Sequence, residues 1–283
     1  MHERASATAV SPPSAATAPK IEAIGLSKSF GTGERAVPAL GPLDLSIAEG
    51  EFVSLVGPSG CGKSTFVKLA VGLMEPTSGI MKVRVADPER PAIATVFQDY
   101  GIFPWMTVEK NILFALSTRG VTRADARERT YDWLTRLGLR DFARSYPGML
   151  SGGMRQRVAI ARALATDPEI LLMDEPFAAL DAQMREMLQS ELLELAQASN
   201  RTVVFVTHSL EEALVLSDRV VVMTSRPGTV LDEQQVPFAR PRTADVRESS
   251  EFADMRGELW RHLRDEVVAQ MERQGTPAAG GRR

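Results

Sequence analysis

Cysteine is almost absent from this chain: its 283 residues include one, Cys61, which excludes an internal disulfide and a cysteine-based zinc site. That scarcity fits a reducing, cytoplasmic setting. Long apolar runs are also missing. Ile170–Met173 and Val203–Val206 are four residues each, whereas a membrane-spanning helix needs about 20, so the chain is not expected to cross a bilayer by itself. Excess charge of one sign is lacking too. Thirty-three basic residues against 36 acidic ones leave a net charge of −3, which gives no general reason to hold nucleic acid or an anionic membrane. The first 19 residues are rich in Ala, Ser, Thr and Pro but lack the basic start and apolar segment of a secretory signal, and they read as a disordered tail. A composition of 44% hydrophobic and 24% charged residues is that of an ordinary soluble globular protein and excludes wholesale disorder.

From about residue 50, short β-rich runs alternate with longer helical patterns, which predicts an α/β core with a parallel sheet covered on both faces. The runs are Phe52 to Val56, Ile93 to Phe97, Ile170 to Met173, Val203 to Thr207 and Val220 to Met223. Their near-continuous apolar character suits strands buried on both sides. Ile21 to Ser27 and Leu43 to Ile47 alternate apolar and polar residues instead, which predicts a half-exposed antiparallel sheet at one edge. Between residues 99 and 167 the strand signal gives way to helical stretches at Val108 to Leu116, Arg123 to Leu137 and Gly152 to Ala165, so a helical subdomain inserted in the core is expected. After residue 240, Phe252, Met255, Leu259, Leu263, Val267 and Met271 recur at spacings of three and four, forming the apolar stripe of an amphipathic helix before a disordered end. That stripe faces either the chain's own body or a second subunit.

The strongest chemical signal is Gly57-Pro58-Ser59-Gly60-Cys61-Gly62-Lys63-Ser64-Thr65, directly after a predicted strand and opening a helical pattern that runs to Leu73. It matches the phosphate-loop pattern, which this composition would produce by chance only about 0.004 times per chain of this length. Glycines let successive backbone N–H groups turn toward one anion, and the helix N-terminus behind them adds a favourable dipole. Lys63 is then expected on the terminal phosphates and Ser64 on Mg²⁺. The chain has 27 Arg against 6 Lys, yet this position is Lys, the compact point charge such loops use. Cys61 reads as a small backbone donor rather than a reactive thiol.

Four further groups point to the same place. The run Ile170 to Met173 ends in Asp174 and Glu175, and ligands of open α/β sheets gather at the C-terminal ends of strands. Asp174 is suited to the metal and Glu175 to orienting and deprotonating a water. Gln98 ends another strand and can reach Mg²⁺ or its water, while His208 ends a third and can hydrogen-bond a γ-phosphate or the nucleophile. Ser151-Gly152-Gly153, opening a helical run, is a second anion cradle or an ordinary helix cap.

Together these motifs resemble the ATP-binding subunit of an ABC transporter, over roughly Ile21 to Val236. Gly57 to Thr65 looks like the Walker A loop, Gln98 the Q-loop, Leu150 to Met154 the signature, Ile170 to Glu175 the Walker B strand, Ala179-Leu180-Asp181 the D-loop and His208 the switch histidine. Phe30 falls where the family places a ring under adenine. Asp174 lies 24 residues after Leu150, and His208 34 after Asp174, spacings that fit the family. Phe30, Met154 and Ala178 depart mildly from the usual Tyr, Gln and Gly or Ser, and none of these changes removes a charged group. The resemblance implies a P-loop NTPase (RecA-like) core, ATP and Mg²⁺ as ligands, and two copies of the chain sandwiching ATP between the phosphate loop of one and the signature serine of the other. It also implies two permease subunits, an extracytoplasmic solute-binding protein acting indirectly, and a place on the cytoplasmic face of the bacterial inner membrane.

Tyr100 to Val108 is aromatic for a chain with only 6% aromatic residues. Its Phe103-Pro104-Trp105 is either buried in the helical insert or a socket for a permease helix, where the family places that contact. With Ser225-Arg226-Pro227-Gly228, it resembles the ATPases of nitrate, sulfonate and taurine importers. Only 43 residues follow Arg240, too few for the regulatory domain of sugar-type ATPases. A soluble ABC-type clamp is the alternative, but the coiled coils and basic surface such clamps use are not evident here.

Overall fold

Both faces of the central sheet are covered, which is why the runs after residue 50 carry so little polar interruption. The computed structural model describes residues 18–85, 92–198, 200–240 and 242–275. The expected N-terminal tail, apart from Ala18 and Pro19, and the expected disordered end beyond residue 275 lie outside the described residues.

Strands β1 (Ile21–Phe30), β2 (Val37–Ile47) and β3 (Phe52–Val56) precede helix α1 (Lys63–Ala70), followed by β4 (Ser78–Val83) and β5 (Ile93–Val96). Helices α2 (Val108–Ser117), α3 (Arg123–Arg136) and α4 (Gly152–Leu164) come next. The core then continues with β6 (Ile170–Asp174), α5 (Ala182–Ala198), β7 (Thr202–Val206), α6 (Leu210–Leu216), β8 (Arg219–Met223) and β9 (Val230–Gln235). Helices α7 (Ala244–Arg247) and α8 (Ser250–Gly275) complete the chain order. A three-stranded antiparallel sheet has the order β2-β1-β4, and a six-stranded sheet the order β5-β6-β7-β3-β8-β9.

Period-two alternation divides the core. Val53, Leu55, Leu172, Val204 and Val221 point into one apolar cluster with Leu26, Leu43 and Ile47 of the antiparallel sheet and Phe66 of α1. Phe52, Leu171, Met173, Phe205 and Val222 point the other way, toward Ile160, Leu188, Leu214 and Leu259. Phe205 is the hub of that second cluster, with ring centroids 6.0 Å from Phe52 and 5.4 Å from Phe177. Helix starts follow capping chemistry: the side chains of Thr107, Thr122, Ser151 and Ser209 accept from the backbone N–H three residues on.

Several expectations shift. The helix after the phosphate loop stops at Ala70 rather than Leu73, because Gly72 adopts φ 78° and Leu73 N donates to Lys68 O in a Schellman closure. The strands expected to end at Phe97 and Thr207 end one residue earlier, and α3 and α4 each close one residue early. Two strands were not expected. β4 is largely exposed, so its apolar signal is weak, and β9 pairs antiparallel to β8, making the core sheet mixed at that edge. The stripe of α8 faces the chain's own body: Phe252 and Leu259 are buried, Leu263 nearly so, and Val267 is exposed. The side chain of Met271 lies outside the described residues.

Candidate functional site

β3 delivers the chain into the loop 57–62, and Gly62 begins α1 at φ 102°, a left-handed conformation that suits glycine. A Cβ there would also lie 2.8 Å from Ala39 O, so the site needs glycine twice over. Lys63 is the first residue of α1 and almost buried; its ammonium donates to Gly57 O at 2.7 Å and Pro58 O at 3.0 Å. Ser59, Gly60, Gly62, Lys63, Ser64 and Thr65 line one cavity of about 290 Å³. Phe30, Gln98 and Glu175 reach the same cavity from three other segments. Gly57, Pro58 and Cys61 are buried in the body of the loop. Burial pushes the Cys61 thiol up, against the pull of Lys63, which disfavours the reactive thiolate.

Asp174, the last residue of β6, is buried, and it lines one cavity with Ser64. Burial raises its carboxyl above the usual range, the nearby Ser64 hydroxyl opposes this, neighbouring Glu175 adds to the rise and Lys63 to the fall. Its Oδ1 has no hydrogen-bond partner among the described residues. Ser64, Gln98 and Asp174 line an adjoining cavity together. A buried orphan carboxylate oxygen beside a hydroxyl and an amide is a hard-oxygen donor set that fits Mg²⁺, with phosphate oxygens and water completing the shell. Among the described residues no cluster of three or more His, Cys, Asp or Glu forms a self-sufficient cage.

Glu175 follows at φ 49°, a left-handed conformation that costs a non-glycine residue about 1–3 kcal/mol unless its surroundings enforce it. They do. Glu175 N donates to Val206 O at 2.9 Å, and Gln156 Nε2 donates to Glu175 O at 2.9 Å. His208 Nδ1 stands 3.5 Å from Glu175 Oε2, with its ring exposed. Gln156, 1% exposed, also accepts from Ala179 N at 2.8 Å. Sequence reasoning missed Gln156. The available signal was an amide on the face of α4 that otherwise carries Ala159, Ile160 and Ala163.

Ser151 caps α4, its hydroxyl accepting from Met154 N at 3.3 Å, and its own surface is exposed. A Cβ on Gly153 would lie 2.8 Å from Ala179 O, so this glycine lets α4 press against the Ala179-Leu180-Asp181 segment. Gly152 has more room, 3.4 Å from the Tyr100 hydroxyl. Asp181 caps α5 by accepting from Met184 N at 2.9 Å. Ser151, Gly152, Gly153 and Asp181 do not line the phosphate-loop cavity of their own chain.

Between Gln98 and α2, Phe103 packs on Trp105 at 5.5 Å and edge-on to Phe114 at 5.2 Å between centroids. Asn111, fully buried, accepts from Phe103 N and donates to the carbonyls of Phe103, Met106 and Thr107, which holds this loop rigid. Trp105 is nevertheless 69% exposed, so burial in the insert does not describe it.

The ABC transporter family pattern matches residues 40–178. An uncharacterized ABC transporter ATP-binding protein of Methanocaldococcus jannaschii is 44% identical over 255 residues, covering 89% of this chain and 94% of that protein. The aliphatic sulfonates import ATP-binding protein of Bacillus cereus is 38% identical over 256 residues, covering 89% and 95%. Taurine and nitrate import ATP-binding proteins are relatives as well. Among solved structures, a dimeric ATP-binding cassette in a post-hydrolysis state with ADP and Pi is 34% identical, with a TM-score of 0.69 over 77% of this chain and all of that one. At 44% identity to a relative over 89% of its length, and on the scaffold of the dimeric cassette, the chain belongs to the ABC transporter ATP-binding family and is an ATP-hydrolysing cassette.

Proposed function

We propose that this chain is the energy-coupling subunit of a bacterial importer for nitrate, a sulfonate, taurine or a similar small solute, working peripherally on the cytoplasmic face of the inner membrane. The observation that carries this reading is the rigid aromatic loop directly after Gln98, with Trp105 exposed on it. An exposed aromatic on a pre-organised loop is the kind of residue that anchors a partner helix, and its neighbour Gln98 lines the nucleotide cavity. Two permease subunits are the partners, a solute-binding protein acts through them, and nucleic acid is not a ligand. Among the described residues no helix is long and apolar enough to cross a membrane, so the permeases provide the pathway.

In this reading Phe30 supports the adenine, and Gly57 to Thr65 wrap the phosphates with backbone N–H groups, Lys63 neutralising the terminal ones. Ser64, Gln98 and Asp174 would hold Mg²⁺, which when bound neutralises charge at the β- and γ-phosphates. Glu175 takes the proton of the attacking water and His208 holds the γ-phosphate side of the site. Ser151, Gly152 and Gly153 complete the phosphate site of a second copy, with Asp181 at the junction. Ser151 is exposed, Gly152 and Gly153 are half-buried, and all three lie apart from their own chain's cavity, which supports that arrangement. ATP then favours the closed pair because only there do both cradles engage one γ-phosphate. We take residues 20–240 as the nucleotide-binding domain, about 99–167 as its helical subdomain and 241–283 as the C-terminal extension.

The test is a pull-down from native membranes with the Glu175→Gln variant and Mg-ATP, because removing the base while keeping its shape favours the closed, ATP-bound pair. A stoichiometric multi-spanning permease is the expected result. Recovery of soluble proteins or nucleic acid instead would support a soluble clamp and overturn the transport reading.

A further inference from the structure

The turn between β8 and β9, Thr224 to Thr229, has no role in the mechanism above, yet it joins two distant parts of the chain. On one side it abuts the phosphate loop. A Cβ on Gly228 would lie 1.7 Å from Cys61 O, so only glycine lets the turn come this close. Gly228 N donates to Ala39 O at 3.2 Å and Gly41 N to Gly228 O at 2.8 Å, fixing the turn against β2 as well. Arg226, exposed at the tip, lines the same cavity as Ser59, Gly60 and Lys63. On its other side the turn is held by α8: Ser225 N and Oγ donate to Glu266 Oε2 at 2.7 and 2.9 Å. Residues 225 and 266 are 41 positions apart, so the bond reflects tertiary docking rather than local turn geometry.

We propose that Arg226 is a further nucleotide-binding residue that contacts the ATP phosphates, and that Glu266 is its positioning residue, holding Ser225 so that the guanidinium faces the cavity. The proposal rests on the assignment of this cavity as the ATP site. Lys63 places one ammonium against a polyphosphate, and among the described residues lining this cavity Arg226 is the only other cation. Its planar fork suits phosphate oxygens. The C-terminal helix thereby becomes part of the ATP site although it is remote from it in sequence.

Isothermal titration of the full chain with Mg-ATP and with adenosine, for wild type, Arg226→Ala, Arg226→Lys, Glu266→Ala, the Arg226→Ala/Glu266→Ala double variant and Lys63→Ala, tests this. Arg226→Ala is expected to weaken ATP binding about 10-fold and leave adenosine unchanged, with Arg226→Lys recovering part of the loss. Glu266→Ala is expected to weaken ATP about 5-fold alone and to add nothing in the Arg226→Ala background, since it acts through that residue. A general loosening of α8 would instead lower the melting temperature and add its effect in both backgrounds. If Lys63→Ala leaves ATP affinity unchanged, the site assignment itself fails. Should Lys63→Ala weaken binding while Arg226→Ala matches wild type, or the Glu266 effect persist undiminished in the double variant, the present inference is overturned and the site assignment stands.

Discussion

Gln156 and Glu175 are joined by a 2.9 Å hydrogen bond from a buried side-chain amide to a backbone carbonyl, 19 residues apart in sequence. The same amide accepts from Ala179 N, so one side chain on the helix behind the signature serine ties the left-handed Glu175 to the segment leading into Asp181. Gln156→Ala removes both part-buried hydrogen bonds, to Glu175 O and from Ala179 N, at about 1 kcal/mol each. The expected outcome is a kcat for ATP hydrolysis at least 10-fold lower with ATP affinity little changed, because the phosphate loop is untouched. Steady-state ATPase and nucleotide titration on the same preparation separate the two.

Lys63 donates to two carbonyls of its own loop and shares the cavity with Ser59 and Gly60. Charge-assisted hydrogen bonds contribute about 1.5–3 kcal/mol, so Lys63→Ala should weaken ATP binding by one to two orders of magnitude. Direct titration with ATP reads this, and retained affinity would move the site elsewhere.

Trp105 stands exposed on a loop that Asn111 braces from below. Trp105→Ala should leave basal ATPase within about twofold and abolish solute uptake by the reconstituted transporter, as loss of an aromatic anchor weakens an interface by about 2 kcal/mol or more. Unchanged assembly and uptake would remove Trp105 from the interface.

Glu212 is buried near His208, its Oε2 accepting from the Thr207 hydroxyl at 2.6 Å, with Arg185 Nε 3.5 Å from Oε1. Burial raises its carboxyl above the ordinary range, only partly opposed by Thr207 and Arg185. A carboxyl raised in the folded state adds stability that is fully present below its unfolded value of 4.5 and is lost as pH rises through the folded value. Glu212→Gln, neutral throughout, should therefore match wild type at pH 4 and melt at a higher temperature than wild type at pH 7. Thermal melts across that range check the sign, and a gap that narrows toward neutrality would contradict it.

Much of the fold is local enough to read from sequence. The buried strands announce themselves through uninterrupted Val, Leu and Ile, the phosphate loop through its glycines and lysine, and α2 and α3 through their helical pattern. What escaped lacked a local pattern. β4 is mostly exposed and β9 is two apolar residues followed by four polar ones, so neither carries an apolar run. Gln156 and Glu266 act at separations of 19 and 41 residues, where sequence spacing has no geometric meaning. Trp105 shows the limit from the other side: aromatic content alone left both burial and exposure open.

By itself the sequence determined that a glycine-rich loop joins β3 to α1 and that Asp174 and Glu175 fall at the end of a strand, because both depend on backbone preferences within a few residues. Only the tertiary structure decided that Ser64 and Asp174 line one cavity, that Ser151 lies apart from its own chain's phosphate-loop cavity, and that α8 reaches the Ser225 turn. Those are contacts between elements, and they exist only once alternate faces of the central strands have been buried against different layers and the helices have been held in register by that packing.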